Sequence, residues 1–582
     1  MKRISLVMMS AFAATVMIGC SADYVKVNTF VEADDPVALT EEEAAAWDNV
    51  SCKLQAAWAD ADLRYSRSTV PAPLADNTLK LTAWKGERTS AQIVLWSSEA
   101  KNGVQCEVSD FKSSAAQMPA SIAQARFVRY TLADKQVYKF KKGEPPVISP
   151  DMLDSLSRFD MAARTTRPVW ITVDVPQDAE AGVYKAQVTV SHEGLGKVKL
   201  PLELEVMNHT LPAPSEWNYH LDLWQHPAAV ARAYGLQVWS DEHFEALKPV
   251  MKRLADAGQK VVTATLNKDP WNHQCYDAYE PMITWTKHKD GSWSYDYKVF
   301  DRWVQLMLDL GIDREINCYS MAPWNCELEY FDEAEGKMIT VKAEPGTPIF
   351  PKIWTPFLKD FKQHLEQKGW LSFTNIAMDE RTPEAMRAAA DVLEQCAPEM
   401  GFALADNHRS YKKFTMMKDV CVAMHYNIVD QADIDMRRAN GQYTTFYVCC
   451  SPSYPNTFTT SNPFEAEVLG WYNVAHDYDG MLRWAYNSWA EDPQYDSRYG
   501  NWMSGDTYFV YPFNRSSVRF EKLRDGIEVA EKVRQLRREG VDMSELDAVL
   551  EKVRNTNAHD PEQPWAEILN EARIALDAVS RK

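Results

Sequence analysis

Positive charge is scarce in this sequence of 582 residues: 63 lysines and arginines stand against 82 aspartates and glutamates, a formal net charge of -19. Nucleic acids and anionic surfaces bind through positive charge, so the balance argues against both as partners. A neutral or weakly charged ligand fits better. At this length the chain also exceeds what one hydrophobic core holds, and we expect two or three domains.

Several common catalytic motifs are also missing. The sequence has no glycine-rich phosphate loop, no HExxH segment and no serine in a G-x-S-x-G turn. Nucleotide chemistry, zinc hydrolysis and the common serine hydrolases therefore lose their simplest support. The ten cysteines show no zinc-type spacing, and we predict neither a metal site nor a cofactor. The adjacent Cys449 and Cys450 have no evident role.

Long apolar runs are absent after the first twenty residues. Lys2 and Arg3 precede an apolar stretch over 4–18 that is too short for a convincing membrane span, and the segment MIGC ending at Cys20 resembles the lipobox of bacterial lipoproteins. These features predict a signal peptide over 1–19 and a lipid on the Cys20 thiol. The protein would then be an exported bacterial lipoprotein, in the periplasm or on the outer-membrane surface, attached to a membrane without spanning it.

The chain after Cys20 divides into further segments by pattern. Residues 20–77 show no strand pattern and are interpreted as a tether. Residues 78–207 contain short β-rich runs such as VKLPLELEV, which alternates apolar and polar residues with period two, and turn residues separate the runs. This pattern is typical of a β-sandwich. The proline-containing LPAPSEW then marks a linker.

Strands and helices alternate in the next part of the chain. Helical stretches such as 241–257 and 383–396 have apolar residues at three- and four-residue spacing. Eight candidate strands accompany them: YHLDLW (219–224), KVVTATL (260–266), INCYSM (316–321), FTNIAMDE (373–380), FALAD (402–406), CVAMHY (421–426), TTFYVCC (444–450) and GMLRWAYNSW (480–489). The alternation predicts a (β/α)8 barrel over 215–518. Residues 519–582 are interpreted as charged helices that pack on the barrel with a solvated face.

The segment NIAMDE places Asp379 and Glu380 side by side at the end of the fourth candidate strand. One explanation is helix capping, because Thr382 and Pro383 fit the N-cap and the first position of a helix, whose dipole favours nearby acidic residues. In a (β/α)8 barrel, however, the C-terminal ends of the strands carry the catalytic residues. Polar and aromatic residues at the other strand ends favour that second explanation.

Adjacent carboxylates do not suit the usual glycosidase, which places its two carboxylates on either side of the bond that breaks. They suit a reaction in which the 2-acetamido oxygen of an N-acetylhexosamine attacks C1 and forms an oxazoline. Asp379 would then accept a hydrogen bond from the acetamide N–H and stabilise its developing positive charge. Glu380 would protonate the leaving oxygen and later activate water. Both side chains reach one pocket only if the strand ends or twists at this point.

Five segments together resemble glycoside hydrolase family 123, the β-N-acetylgalactosaminidases: WKGERTSAQ (84–92), MDE (378–380), GMLRWAYNSW (480–489), GDTYFVYP (505–512) and SVRFEKLRDGIE (517–528). The resemblance covers most of the chain after residue 77. It implies a β-sandwich, a (β/α)8 barrel and substrate-assisted, retaining hydrolysis of terminal β-linked GalNAc, including that of glycosphingolipid glycans. The catalytic pair of the family maps onto Asp379 and Glu380. The choice of GalNAc over GlcNAc depends on the resemblance alone.

For the substrate-binding residues, only position near strand ends and chemical type are available. Aromatic faces suit the CH face of a sugar ring, and polar side chains suit its hydroxyl groups. The candidates are Asp222, Trp224, Trp324, Asn325, Asp406, His425, Tyr426, Tyr447, Trp484, Asn487 and Tyr511.

Two other functions stay open at this point. A lipid-anchored glycan-binding protein with an inactive barrel would share the leader, the aromatic residues and the β-sandwich. A glycosidase with two separated carboxylates would use Asp222 or Asp406 as its second carboxylate.

Overall fold

The computed structural model describes residues 31–135, 145–194, 196–406, 409–414, 416–424, 428–500, 502–557, 560 and 562–582. The predicted leader with Cys20, and the candidates His425 and Tyr426, lie outside these residues. The described chain has a mostly β N-terminal region, an eight-stranded parallel sheet and a helical C-terminus. None of its helices combines the length and the apolar character needed to cross a bilayer.

Two sheets form the N-terminal region. In spatial order, the first has strands Gln55–Ala59, Arg88–Ser97, Thr165–Asp174, Ala123–Ala133 and Val147–Asp154. The second has Leu79–Lys85, Lys197–Thr210, Gly182–Ser191, Lys101–Val108 and Phe159–Met161, with the short Phe111–Lys112 and Gln117–Met118 at its side. Apolar residues of both sheets, such as Ile93 and Leu202, belong to one buried core.

The interpretation of residues 20–77 as a tether is wrong for its later part. Gln55–Ala59 is an antiparallel partner of Arg88–Ser97, and Trp58 lies opposite Ile93. Trp58 is buried, and its indole N–H donates to the Pro201 carbonyl at 3.0 Å. The segment QAAWA has no β-branched residue, so its sequence gave little strand signal.

All eight predicted parallel strands are present, in the predicted order. They are His220–Leu223, Val261–Thr265, Glu315–Tyr319, Thr374–Asp379, Gly401–Asp406, Met417–Ala423, Tyr443–Tyr447 and Gly480–Arg483. From the second strand to the eighth, each pairs in parallel with the next along the chain, and the eighth pairs with the first. The first and second strands approach through the single bridge of Leu221 with Gln259, so the barrel is nearly closed. Parallel pairing brings the C-terminal ends of all eight strands to one rim.

Helices cover the outside of this barrel. They are Pro227–Tyr234, Asp241–Ala255, Lys298–Asp309, Ile349–Lys368, Pro383–Cys396, Gln431–Ala439 and Pro463–Ala475. The helix Pro383–Cys396 begins as its sequence predicts, because the Thr382 side chain accepts from the N–H of Ala385 at 3.3 Å and proline occupies the first position. A short N-terminal helix, Glu41–Ala46, precedes the β region.

A small four-stranded sheet interrupts the alternation and was not predicted. Its strands are Thr284–Lys287 and Trp293–Asp296, after the second barrel strand, and Glu327–Asp332 and Lys337–Lys342, after the third. Both insertions follow the C-terminal ends of barrel strands, so they extend the rim that carries Asp379 and Glu380.

The C-terminal helices are Val518–Glu539, Ser544–Arg554 and Trp565–Val579. The first crosses Pro463–Ala475 so closely that a Cβ atom on Gly470 would lie 2.0 Å from the Gly526 carbonyl oxygen. This close approach requires glycine at residue 470.

The expectation that the charged face of the first C-terminal helix is solvated is wrong. Charged side chains of this helix are buried against the β region. Arg126 pairs with Glu521 at 3.1 Å, and Glu87 pairs with Lys532 at 2.7 Å. Regular spacing of charges along a helix is the same for a solvated face and for an ion-paired one, so the sequence did not distinguish them.

Asp151 lies at the centre of the contact between the β region and the rest of the chain. Its fully buried carboxylate accepts from Tyr511 at 2.7 Å and pairs at 3.0 Å with both Arg64 and Arg519. Two guanidinium groups therefore depend on one carboxylate for their charge balance.

We expect Asp151→Ala to destabilise the whole chain by about 3–5 kcal/mol, because it leaves buried cations without their counter-charge. Urea unfolding followed by tryptophan fluorescence measures this loss. Asp178→Ala, at an exposed position of the same β region, is the matched control and should change stability little. Equal stability of the two variants would contradict the role of Asp151.

Candidate active site

Asp379 and Glu380 enter the same cavity because the chain leaves the strand between them. The fourth barrel strand ends at Asp379, and Glu380 has a φ of 37°. Its N–H still donates to the Ala405 carbonyl at 3.0 Å, which fixes the turn to the next strand. Both carboxylates line one cavity of about 230 Å³ at the rim of the barrel. A non-glycine residue at positive φ is uncommon, and such strain is concentrated at functional sites.

The carboxylate of Asp379 is held by an indole donor. Nε1 of Trp324 donates to its Oδ2 at 3.0 Å. Burial raises the pKa of Asp379 to about 6, while the bond from Trp324 lowers it and the neighbouring Glu380 raises it. At neutral pH the carboxylate is therefore mostly ionised, although it titrates much closer to neutrality than an exposed aspartate.

Arg381 fastens the loop that carries Trp324. Its Nε donates to the Ala322 carbonyl at 2.8 Å, its guanidinium also donates to Pro323, and its Cζ lies 4.6 Å from the centre of the Trp324 ring. Arg381 was not predicted as a site residue. Its position directly after the two carboxylates was the one available signal.

Glu380 has a different partner, Tyr447, at the end of the seventh barrel strand. The phenol of Tyr447 donates to Oε1 of Glu380. Burial and the adjacent carboxylate raise the pKa of Tyr447, so the phenol keeps its proton and remains a donor. The two carboxylates therefore have separate neutral donors from opposite sides of the barrel.

The aromatic residues Trp224, Trp484 and Trp502 line the cavity. Trp224 also belongs to an aromatic cluster with Trp271 and Tyr319, whose ring centroids are 4.8 Å apart in each pair. Trp484 meets Trp502 edge to face at 5.3 Å. Trp224 and Trp484 were predicted. Trp271 and Trp502 were missed because they lie outside the predicted strands. Tyr319 was missed because it precedes the end of its predicted strand.

A third carboxylate, Asp506, also lines the cavity, but it is neutralised. It pairs with Arg483 at 2.6 Å, and both side chains are fully buried. Arg483 also donates to the Val448 carbonyl at 2.9 Å, which holds the chain that follows Tyr447. Asp506 was not predicted, because it lies in a loop after the last strand.

Asp222 and Asp406 do not reach the cavity, although both were predicted to bind substrate. Asp222 lies deeper in the barrel, where burial and the nearby Asp419 raise its pKa well above the usual range. Asp406 is buried and accepts from the backbone N–H of Ser410 at 2.5 Å and from its hydroxyl at 3.2 Å. Position at a strand end did not distinguish inward-facing side chains from those that cap the next turn.

Three further candidates also lie away from the cavity. The Asn487 amide donates to and accepts from the backbone of His226, both at 2.9 Å. The Tyr511 hydroxyl donates to Asp151, in the contact with the β region. Asn325 is exposed and bonds the N–H and the carboxylate of Glu327. These bonds give each of the three a structural role, and none of them is among the residues that line the cavity.

One group of side chains has the types and spacing of metal ligands among the residues that the structure describes. One ligand atom each from His220, Glu315 and Asp419 lies within 4.8 Å of the others, and all three residues are buried. They lie lower in the barrel than the rim that carries Asp379 and Glu380, and His220 approaches Asp419 at 3.3 Å. Burial and Asp419 raise the pKa of Glu315 well above its usual range, which favours its protonated form.

Comparison with known proteins identifies the family. The model described as "Glycoside hydrolase 123, catalytic domain" matches residues 224–536, and that of the "Glycoside hydrolase 123 N-terminal domain" matches 58–192. A family 123 glycoside hydrolase from Clostridium perfringens, studied for glycolipid glycan hydrolysis, is 28% identical with a TM-score of 0.83, over 90% of this chain and 97% of that one.

A more distant structure, a Bacteroides ovatus GH5 xyloglucanase in complex with a XXXG heptasaccharide, is 12% identical with a TM-score of 0.26, over 78% of this chain and 98% of that one. That similarity is too low to inform the site. No curated protein matches the chain. The resemblance to family 123 seen in the sequence is thus confirmed.

We expect Asp379→Asn to raise the melting temperature near neutral pH. Its folded-state pKa of about 6 lies above the ordinary 3.8, so the ionised carboxylate costs stability, fully above about pH 6. The gain should fade as the pH falls from about 6 towards 3.8, where the wild-type carboxylate becomes protonated in both states. Melting curves at about pH 7.5 and pH 4 measure it. Asp178→Asn, which is exposed, should show no such trend, and a pH-independent gain would contradict the explanation.

Proposed function

This chain belongs to glycoside hydrolase family 123, and from that premise we propose that it is an exo-acting, retaining β-N-acetylgalactosaminidase that uses the 2-acetamido group of its substrate as the nucleophile. The observation that carries the proposal is the entry of two consecutive carboxylates into one cavity, each with its own donor.

The donors support a division of roles between the two carboxylates. Asp379 is ionised at neutral pH, and its partner is an indole N–H, which leaves its negative charge in place. It accepts the acetamide N–H, turns the acetamide oxygen towards C1 and stabilises the positive charge of the forming oxazolinium ring. Preorganised charge of this kind costs no reorganisation during the reaction.

Glu380 acts on the other side of the bond that breaks. It donates its proton to the glycosidic oxygen as the C1–O bond lengthens, and the leaving sugar departs as an alcohol. It then takes a proton from the water that attacks C1 and opens the oxazoline, which returns the acetamide to its first form. Two inversions at C1 retain the β configuration. Tyr447 keeps the carboxyl oriented for both steps.

The size and walls of the cavity support an exo-acting enzyme. At about 230 Å³ it is smaller than the about 300–1,000 Å³ typical of drug-sized ligand sites, and it suits a single terminal sugar. The indole walls of Trp224 and Trp484 offer apolar faces to the CH face of a pyranose. Because water is excluded from such a cavity, the electrostatic interactions of both carboxylates with a bound sugar are stronger there.

The positions of the other carboxylates disfavour a glycosidase with two separated carboxylates. Asp222 and Asp406 lie outside the cavity lining, and Asp506 is bound to Arg483. A covalent glycosyl-enzyme trapped by a 2-fluoro sugar would nevertheless reject substrate assistance.

The proposed substrate and location extend this reading. The relative from Clostridium perfringens acts on glycolipid glycans, and we propose terminal β-GalNAc of glycosphingolipid glycans as the substrate here. We also propose that lipidated Cys20 attaches the exported protein to a membrane.

Paired aryl glycosides test the substrate directly. We expect hydrolysis of the aryl β-GalNAc, weaker action on β-GlcNAc and almost none on a β-galactoside, because the galactoside lacks the nucleophile. Comparable rates on the β-GalNAc and β-galactoside substrates would contradict the substrate-assisted mechanism. A thiazoline analogue of GalNAc should inhibit strongly, since it mimics the bicyclic intermediate. A chain that neither turns over nor binds these compounds would be the glycan-binding protein with an inactive barrel.

Two variants separate the roles of the carboxylates. Glu380→Gln should lose about 10²–10⁴-fold on a natural oligosaccharide and far less on a dinitrophenyl glycoside, whose leaving group needs no proton. Asp379→Asn should lose activity on both, because the acetamide must be oriented with either leaving group.

The control is Glu384→Gln, which removes an exposed carboxylate from the first turn of the following helix and should leave both rates unchanged. Similar small losses for Glu380→Gln and Asp379→Asn on both substrates would mean that the pair only caps that helix.

A further inference from the structure

Cys449 and Cys450, which have no role in the mechanism above, lie in the wall of the catalytic cavity. Both line it together with Asp379 and Glu380. They follow Tyr447, the residue that orients Glu380, by two and three positions. Their sulfur atoms are 3.9 Å apart.

The backbone of the pair is fixed, while the thiols differ in their surroundings. Arg483 donates to the Val448 carbonyl at 2.9 Å, and Asn456 donates to the Cys449 carbonyl at 2.8 Å. Cys449 packs against the aromatic cluster of Trp224, Trp271 and Tyr319, and Cys450 is exposed. One thiol is therefore accessible to a reagent, and the other is held beside it.

We propose that Cys449 and Cys450 close reversibly into a vicinal disulfide in the cavity wall, and that this oxidised form binds glycan more tightly than the dithiol. The effect on glycan binding rests on the proposed function, whereas formation of the disulfide does not.

The oxidant in the proposed step is a small-molecule disulfide. The thiolate of Cys450 attacks one sulfur of the oxidant and releases one thiolate. The thiol of Cys449 then loses its proton and attacks the Cys450 sulfur of the mixed disulfide, which releases the second thiolate. The protein loses two protons and two electrons, and the oxidant becomes two thiols.

The local chemistry favours Cys450 as the first nucleophile. The hydrogen bond from Cys449 lowers the pKa of Cys450, and Arg483 contributes in the same direction. The thiolate is the reactive form, and access decides which thiol meets the oxidant. Both conditions select Cys450.

Adjacency makes the bond reversible. Neighbouring Cα atoms are about 3.8 Å apart across a trans peptide, which is below the about 4.4–6.8 Å usual for disulfides. Strained, exposed disulfides are the readily reduced ones. The pair can therefore respond to small thiols, whereas buried structural disulfides resist them.

Oxidation changes the wall in two ways that favour sugar binding. It removes an ionisable thiol from a cavity that already contains the carboxylates of Asp379 and Glu380, and it replaces two rotating side chains by one rigid apolar surface. When a rigid apolar wall packs against the CH face of a sugar, less side-chain entropy is lost than when two free side chains become ordered.

Peptide mapping tests the disulfide without reference to activity. The tryptic peptide 439–483 contains no cysteine other than these two. The full chain is incubated with oxidised glutathione or with a phosphine reductant, alkylated with iodoacetamide and digested. We expect the oxidised peptide to be two hydrogen atoms lighter and unalkylated, and the reduced peptide to take two alkyl groups. Two alkyl groups after oxidation would overturn the proposal.

Kinetics on an aryl glycoside test the effect on binding. We expect reduction to raise KM roughly threefold to tenfold with kcat nearly unchanged, as freezing one side chain on binding would predict. The double variant Cys449→Ser/Cys450→Ser should have the reduced KM under both conditions. Cys52→Ser, at an exposed position in the N-terminal part of the chain, should behave as wild type.

Each other outcome is informative. A disulfide that forms without changing KM would refute its role in the wall, and a KM shift that persists in the double variant would assign the effect to another site. If the double variant unfolds, Cys450→Ser alone blocks the bond and keeps the packed Cys449. An inactive chain that still yields the unalkylated peptide would refute the proposed function and support the disulfide.

Discussion

Like charges on consecutive residues share one cavity here because the backbone turns between them. A regular strand would point Asp379 and Glu380 to opposite faces of the barrel wall. The φ of 37° at Glu380 brings both side chains inward, and the bond from its N–H to Ala405 holds that conformation. The remaining site residues are arranged around this turn: Trp324 and Tyr447 each hold one carboxylate, and Arg381 holds the loop of Trp324.

The three carboxylates of the cavity differ in the charge of their hydrogen-bond partners. Asp506 has a buried guanidinium as its partner, so its charge is cancelled within the protein. Among the described residues, the donors to Asp379 and Glu380 are a neutral N–H and a neutral O–H. Neutral donors fix the position of a carboxylate without cancelling its field. The negative potential of the cavity therefore stays available for positive charge that develops on a bound molecule.

The barrel was largely predictable from sequence, whereas the site was predictable only in part. Eight parallel strands give a clear pattern in the sequence, because each is a short apolar run between segments with helical periodicity. Asp379, Glu380 and Tyr447, which line one cavity, were predicted by the same logic, since parallel strands expose their C-terminal ends.

Loops and side-chain directions account for the residues that were missed. Trp271, Trp502 and Asp506 come from segments without periodicity, and no pattern in a single sequence places them near Asp379. Asp406 and Asn487 satisfy the same strand-end rule as Trp224, yet they bond local backbone groups. The strand at 55–59 was missed because QAAWA lacks strand-forming residues other than tryptophan.

The helix Val518–Glu539 has a consequence for how this architecture can be inherited and engineered. Its buried charges find their counter-ions in the N-terminal region, as in the pairs of Arg126 with Glu521 and of Glu87 with Lys532. The catalytic barrel is therefore not an independent module that ends at a linker. A transplanted barrel would expose a row of orphaned charges, and a grafted β region would need the same acidic and basic partners. Evolution would have to exchange the two parts together, as one cassette.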